Sequence, residues 1–537
     1  MLIGNNLTKG FLVSPQRVLA QYPQVLCQFL LVGCLIALLL GISLYDGQML
    51  AAGIRNVNTW IVANFGGLYL WFALMVVVVF FIISLTPIGK IRMGGEDAIP
   101  DHDRFSWLAM LLCTGTGIGF MFWGAAEPLF HFMNPPYADT VSLAERNQTA
   151  FYFAYMHWGV IPYGLFAFTA LALGYWGYNM KRGFCFSHFF SGHIEPTFKN
   201  ISETLIRSLP DLVTIFAVVF GIATTLGLGV LQVEGGLSHL FHWPKGTGLE
   251  LGIIAVISVV YLASVRLGLD KGLKTLSNIS VILSILLLIT IFCIGPSFKI
   301  IQNFITAIPE HFMRLPVMGL GQGNYNDPMW IDHWTIKTWS WTITWAPFVG
   351  LFIALISKGR TIRELFWGAA MVPAMFSSIW FTVFGQTAIN LQMEQNLVGA
   401  SLTLGNANQV LFQMFDLFPA APFLAGLSLL IIVVFISNSA DSASYTMTCF
   451  TYHDIKPDHS KLLQFVWGAF FAILCALLVL TGGLTTLHEI TQITALPFTL
   501  MLILVFLRVV YYLVKDVFRG PVLFLRAPRG ANLRETL

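Results

Sequence analysis

Charge is what this 537-residue sequence has least of: Asp, Glu, Lys and Arg make up 10% of it. An ordinary soluble domain carries about 25%. So low a charge, in a chain this apolar, excludes a disordered polymer and a soluble globular enzyme. Cysteine is also scarce. The seven residues lie mostly in apolar runs without CxxC spacing, which excludes a disulfide framework and a cysteine metal site. No HExxH or nucleophile–base set occurs. His188 and His193 are five apart and would not share a helical face. A net charge of +3 is too small for a nucleic-acid partner. No enzyme activity, metal or cofactor is expected.

What is present is apolar length. Hydrophobic residues make up 56% and aromatics 14%. Twelve stretches reach the roughly 20 residues that cross a bilayer: 25–46, 62–88, 107–133, 150–176, 211–240, 249–266, 275–298, 334–357, 365–390, 419–450, 463–481 and 488–515. They are continuous, not alternating, so a barrel is excluded. The expectation is an all-α, multi-pass protein of the cell membrane. The first stretch lacks a small-residue cleavage site and reads as a span, not a signal peptide. With the N-terminus inside, 22 of the 29 basic residues fall on the inner side, so both termini are expected in the cytoplasm. The segment 299–333 contains KIIQNFITAIPEHFMRL, whose helical apolar spacing suits a helix lying on the outer surface.

Three stretches look interrupted. The third contains Thr114-Gly-Thr-Gly-Ile-Gly119, the fifth Gly221-Ile-Ala-Thr-Thr-Leu-Gly-Leu-Gly229 and the tenth Ser437-Asn-Ser-Ala-Asp-Ser-Ala-Ser444. A dinucleotide site is excluded at the first, because no strand precedes the glycines. Unwound backbone in a membrane is tolerated only where protein or a water-filled cavity satisfies it. The alternative is close packing through small residues. A buried aspartate is functional by default, and broken helices are how secondary transporters expose backbone dipoles.

The eighth stretch carries four tryptophans in twelve residues. At about 100° per residue, Trp334, Lys337, Trp341, Trp345 and Phe348 fall in roughly an 80° sector. Trp339 points away. The fourth stretch adds His157, Trp158, Tyr163 and Phe166. Tryptophan in membranes prefers the interface, so a stripe through the depth of one helix suggests a cage for a quaternary ammonium group. Lys337, about a turn from the helix start, reads either as a snorkelling side chain or as a substrate-steering cation.

GTGIGFMFWGAAEP (115–128), HWGVIPYGLF (157–166), FGIATTLGLG (220–229), WTIKTWSWTITWAPFVGLFIALISKGRTIREL (334–365) and FISNSADSAS (435–444) together resemble the betaine/carnitine/choline transporter family. The resemblance runs from the first stretch to the twelfth. It implies a leucine-transporter-type fold with inverted five-helix repeats at 107–298 and 334–515. Two extra helices (25–106) would precede them, the outer helix segment (299–333) would separate them, and cytoplasmic segments 1–24 and 516–537 would flank the whole. It also implies a homotrimer in the lipid bilayer, importing a small quaternary-ammonium or related zwitterionic solute by alternating access. Mapped onto this sequence, the family pocket implicates Thr116, Trp158, Tyr163, Phe166, Trp341, Thr342 and Trp345. Trp334, Lys337 and Thr338 would lie toward the outer vestibule.

The departures from the family pattern are informative. Thr342 stands where a second tryptophan is common, Thr116 where methionine is, and Tyr163 where tryptophan is frequent. Gly119 occupies the position where choline-type members place an aspartate. That absence, with Lys337, favours a zwitterion over a bare cation. Of four oxygen ligands in sodium-coupled members, two positions here are Val218 and Ile222, with Asn438 and Ser439 the others. Methyl groups cannot replace ion hydration, so sodium independence is expected. The arginine of the family's exchangers is replaced by Ser280. Proton coupling is then the leading option, with Glu127, His157, Glu234 and Asp441 as candidate carriers, and exchange is the alternative. A carrier of choline or of sulfonium or sulfonate zwitterions also stays open, and a membrane-embedded enzyme is the remote alternative. Short tails favour nutrient uptake over osmotic control. GRTIRE (359–364) reads as a charged hinge or a cytoplasmic anchor.

Overall fold

The computed structural model describes residues 23–115, 117–137, 142–190, 201–267, 274–322, 325, 327, 329–399, 402–403, 406–452 and 461–519. Among them there is no strand, only an isolated bridge between Arg92 and Thr361. The protein is all-α. Among the described residues nine helices are long and apolar enough to cross a membrane, or ten if one bent pair counts as a span. The twelve apolar runs map onto these unevenly. The first two join in the helix Pro23–Leu85, which breaks its backbone only at Asp46. The third splits into Arg104–Gly115 and Ile118–Met133, each short of a full span. The seventh counts only with the helix after it, from which it bends by 108°.

That bend has a local cause. Gly295 and Pro296 separate the two helices, and Pro296 caps the second with φ −78° and ψ 64°. The second helix, Ser297–Gly319, buries Ile300, Asn303, Ala307, His311, Leu315 and Met318. Their spacing of three to four residues makes one face apolar toward the protein.

Two of the three expected interruptions are absent. Ile201–Phe241 and Ala421–Tyr452 run as unbroken helices. The glycines of the first serve close packing instead. A Cβ at Gly221 would press on Thr344 and Trp345, and one at Gly229 would overlap Ile436. In the second, the Ser444 hydroxyl donates to the carbonyl four residues back, the Ser437 hydroxyl is buried without a partner, and the helix runs through both. Gly229→Ile is expected to cost about 1–3 kcal/mol by overpacking. A lower thermal unfolding midpoint would show it, with Gly252→Ile unchanged because a Cβ there meets nothing.

The long helix Lys461–Arg519 packs on Ile201–Phe241 and Pro23–Leu85, and Lys337–Ile356 lies against Val160–Gly174. The GRTIRE segment is fastened, not free. Thr361 and Glu364 form a capping box. Arg363 donates to the Ser84 carbonyl at 2.7 Å and Arg360 to the His102 carbonyl at 2.6 Å.

Candidate functional site

One helix ends at Gly115 and the next begins at Ile118, and Gly117 before it is extended (φ −151°, ψ −166°). A second break, not anticipated from sequence, falls at Gly159 between Leu143–Trp158 and Val160–Gly174. Its cause is legible afterwards in HWGVIP. Pro162 cannot donate to the carbonyl four residues back, and its ring crowds that carbonyl. Gly159 adopts φ −98° and ψ −132°, where a Cβ would strike the Tyr155 carbonyl oxygen. Trp158 is therefore the last residue of one helix, and Tyr163 and Phe166 belong to the next.

These breaks and Lys337–Ile356 line a partly open cavity of about 40 Å³. Six of the seven expected pocket residues line it: Trp158, Tyr163, Phe166, Trp341, Thr342 and Trp345. The seventh, Thr116, lies outside the described residues. Gly117, Gly119, Phe120 and Pro162 complete the wall. Trp158 and Trp345 each meet Trp341 edge-on, at 5.8 and 5.7 Å between ring centroids. Phe381 stacks on Trp158 at 5.3 Å. Gly119 lets that indole approach, because a Cβ there would overlap the ring.

The three indole N–H groups differ. Trp345 donates to Thr225 Oγ1 at 3.0 Å. Trp158 donates to Glu127 Oε2 at 2.7 Å. The Trp341 N–H is buried without a partner. Thr342 spends its hydroxyl on the Thr338 carbonyl at 2.9 Å. The wall thus offers aromatic faces to a cation.

A second cluster adjoins the first. Glu127 Oε1 lies 2.6 Å from His157 Nδ1 and 3.5 Å from His131 Nε2. His157 Nε2 bonds Thr335 Oγ1 at 3.0 Å. Lys337 is buried with its ammonium 4.5 Å from the Trp334 ring and 5.1 Å from Trp123. Snorkelling is thereby excluded. Trp334 and Lys337 do not line the cavity but this neighbouring cluster, and Thr338 is buried on the same helix. His131 and Trp123 were missed from sequence. The signal for His131 is its place four residues after Glu127, on the same helical face.

The other expected ion carriers lie elsewhere. Glu234 accepts from the Gly246 N–H at 2.8 Å, where it satisfies the start of Thr247–Leu267. Asp441 accepts from Ser264. Val218 and Ile222 are fully buried hydrocarbon.

An all-α membrane protein with a helix interrupted beside an aromatic cavity has the make-up of a transporter. The chain belongs to the betaine/carnitine/choline family of transporters, whose model matches residues 28–517. An ectoine/hydroxyectoine transporter of Virgibacillus pantothenticus is 34% identical, over 82% of this chain and 87% of its own. A glycine betaine transporter of Bacillus subtilis is 33% identical over 84% and 87%. An osmo-dependent choline transporter of Acinetobacter baylyi is 30% identical over 84% of this chain and 66% of its own length.

Proposed function

We propose that this transporter imports a small zwitterion with a quaternary ammonium head, of the glycine betaine kind, without sodium and coupled to protons. The observation that carries the reading is the cavity walled by Trp158, Trp341 and Trp345. Desolvated cation–π contacts are worth about 2 kcal/mol each. The named solutes of the relatives, glycine betaine, choline and ectoine, define the panel to test. No carboxylate lines the cavity, which favours the zwitterions over choline. Trp334, Lys337 and Thr338, buried here, are assigned to the outer approach that alternating access would open. The inverted repeats at 107–298 and 334–515, the leading pair of helices, the outer 299–333 segment, cytoplasmic termini and a homotrimer in the bilayer belong to the same reading.

Sodium independence rests on Val218 and Ile222, whose buried side chains offer no oxygen. Proteoliposome uptake of the labelled panel, with sodium and proton gradients imposed separately, tests it. Accumulation of glycine betaine with protons alone is the expected outcome. A strict sodium requirement would refute the ion reading, and uptake only into preloaded vesicles would make the protein an exchanger.

A further inference from the structure

We infer that Glu127, His131 and His157 form a single proton-binding site, and that Trp158 conveys its state to the solute cavity. The inference rests on the proton-coupled reading above and assigns the carrier that reading leaves open. Of the four expected carriers, Glu234 and Asp441 are engaged in local bonds to Gly246 and Ser264. Glu127 and His157 are bonded to each other and, through Trp158, to the cavity wall.

His131 gives the cluster its capacity. Its ring is fully buried, yet neither ring nitrogen has a hydrogen-bond partner. Buried polar groups are nearly always paired, and each one left unpaired costs about 1–3 kcal/mol. Nε2 already stands 3.5 Å from Glu127 Oε1. A proton delivered from water to that nitrogen turns the spacing into a charge-assisted hydrogen bond. No covalent bond of the protein breaks, and the proton returns to water on the other side. The three groups share one carboxylate.

The surrounding charges explain why solute and proton would travel together. Lys337 and His131 both meet the Trp334 ring, each at 4.5 Å from its centroid. Ionised Glu127 and Lys337 balance. An added proton leaves one net positive charge buried, which is costly unless an anion is near. The carboxylate of a zwitterion in the cavity is that anion. Other titratable groups face the cluster at greater remove. His311 is bonded to the Tyr152 carbonyl at 3.2 Å, and His488 lies against Trp341. From the packed helices Val372–Gln395 and Ile201–Phe241, Trp380 and Gln232 donate to the carbonyls of Phe120 and Met121; Val410–Asp416 and Ala421–Tyr452 also pack there and carry Asp416, 2.8 Å from His239, and Asp441, bonded to Ser264. By reciprocity, if the solute favours the proton, the proton favours the solute.

Calorimetric titration of the purified full-length protein with glycine betaine, in buffers of different ionisation heat, counts the protons taken up. The wild type is expected to bind about one per solute near neutral pH, and Glu127→Gln and His131→Gln close to none while still binding solute. Choline, which has no carboxylate, should draw none. His131→Gln is the decisive variant, because its ring makes no hydrogen bond that folding would miss. About one proton retained in both variants, with proton-driven uptake intact, would overturn the site and leave proton coupling standing. Wild-type binding without protons, together with sodium-driven uptake, would overturn both.

Discussion

Trp158→Ala is expected to weaken glycine betaine binding by more than about a hundredfold. Two losses add. The cavity gives up an aromatic face worth about 2 kcal/mol to a desolvated cation. Buried Glu127 gives up the N–H donor 2.7 Å from its Oε2, a loss of about 1–3 kcal/mol. Trp158→Phe separates the two, since it keeps a face and removes the donor, and should fall near tenfold. Equilibrium binding of labelled solute to the purified variants measures both. Equal affinities for alanine and phenylalanine would mean that the ring face contributes nothing.

Gly119→Ala is expected to lower affinity by about 10- to 100-fold, the range of a small overpacking strain of 1–3 kcal/mol. The new methyl would overlap the Trp158 ring. That ring is held by Glu127 on one edge and by Phe381 on one face, so it has little room to retreat. Gly117→Ala supplies the contrast. Its Cβ would sit 3.6 Å from the Trp345 ring, an ordinary contact, in a backbone conformation open to any residue. It should stay within about threefold. Competition binding on the two variants, alongside their unfolding midpoints, distinguishes a reshaped cavity from a destabilised protein.

The apolar runs made the helical, membrane-spanning architecture legible, because their length alone sets the class. The glycine break beside the cavity was legible too, since three glycines at alternate positions leave a helix little support. The same signal failed at Gly221–Gly229, where the small residues admit Trp345, Thr344 and Ile436 to the helix surface. Composition does not separate a glycine that unwinds from one that packs. It failed again at Ser437–Ser444, where the helix runs on unbroken and the Ser444 hydroxyl folds back on it. The break at Gly159 was written in the Gly-x-x-Pro spacing and passed over in favour of helical periodicity. Trp341 and Trp345 reached the cavity as their spacing required. Trp334 and Lys337, on the same stripe, did not. A π-helical turn at Asp332–Ile336 precedes Lys337; Trp334 turns to Trp123 and His131, and Lys337 to Trp123. Partners from distant segments decide such placements, and periodicity along one helix does not contain them.

The central claim is that three tryptophans bind the solute through its positive charge. Glycine betaine and 3,3-dimethylbutanoate have the same shape and the same carboxylate, but the second carries carbon in place of the ammonium nitrogen. Their dissociation constants for the purified protein, measured side by side, isolate that charge. A cation–π cavity should prefer glycine betaine by at least about tenfold. Equal binding of the two would contradict the account, because apolar burial alone would then explain the site.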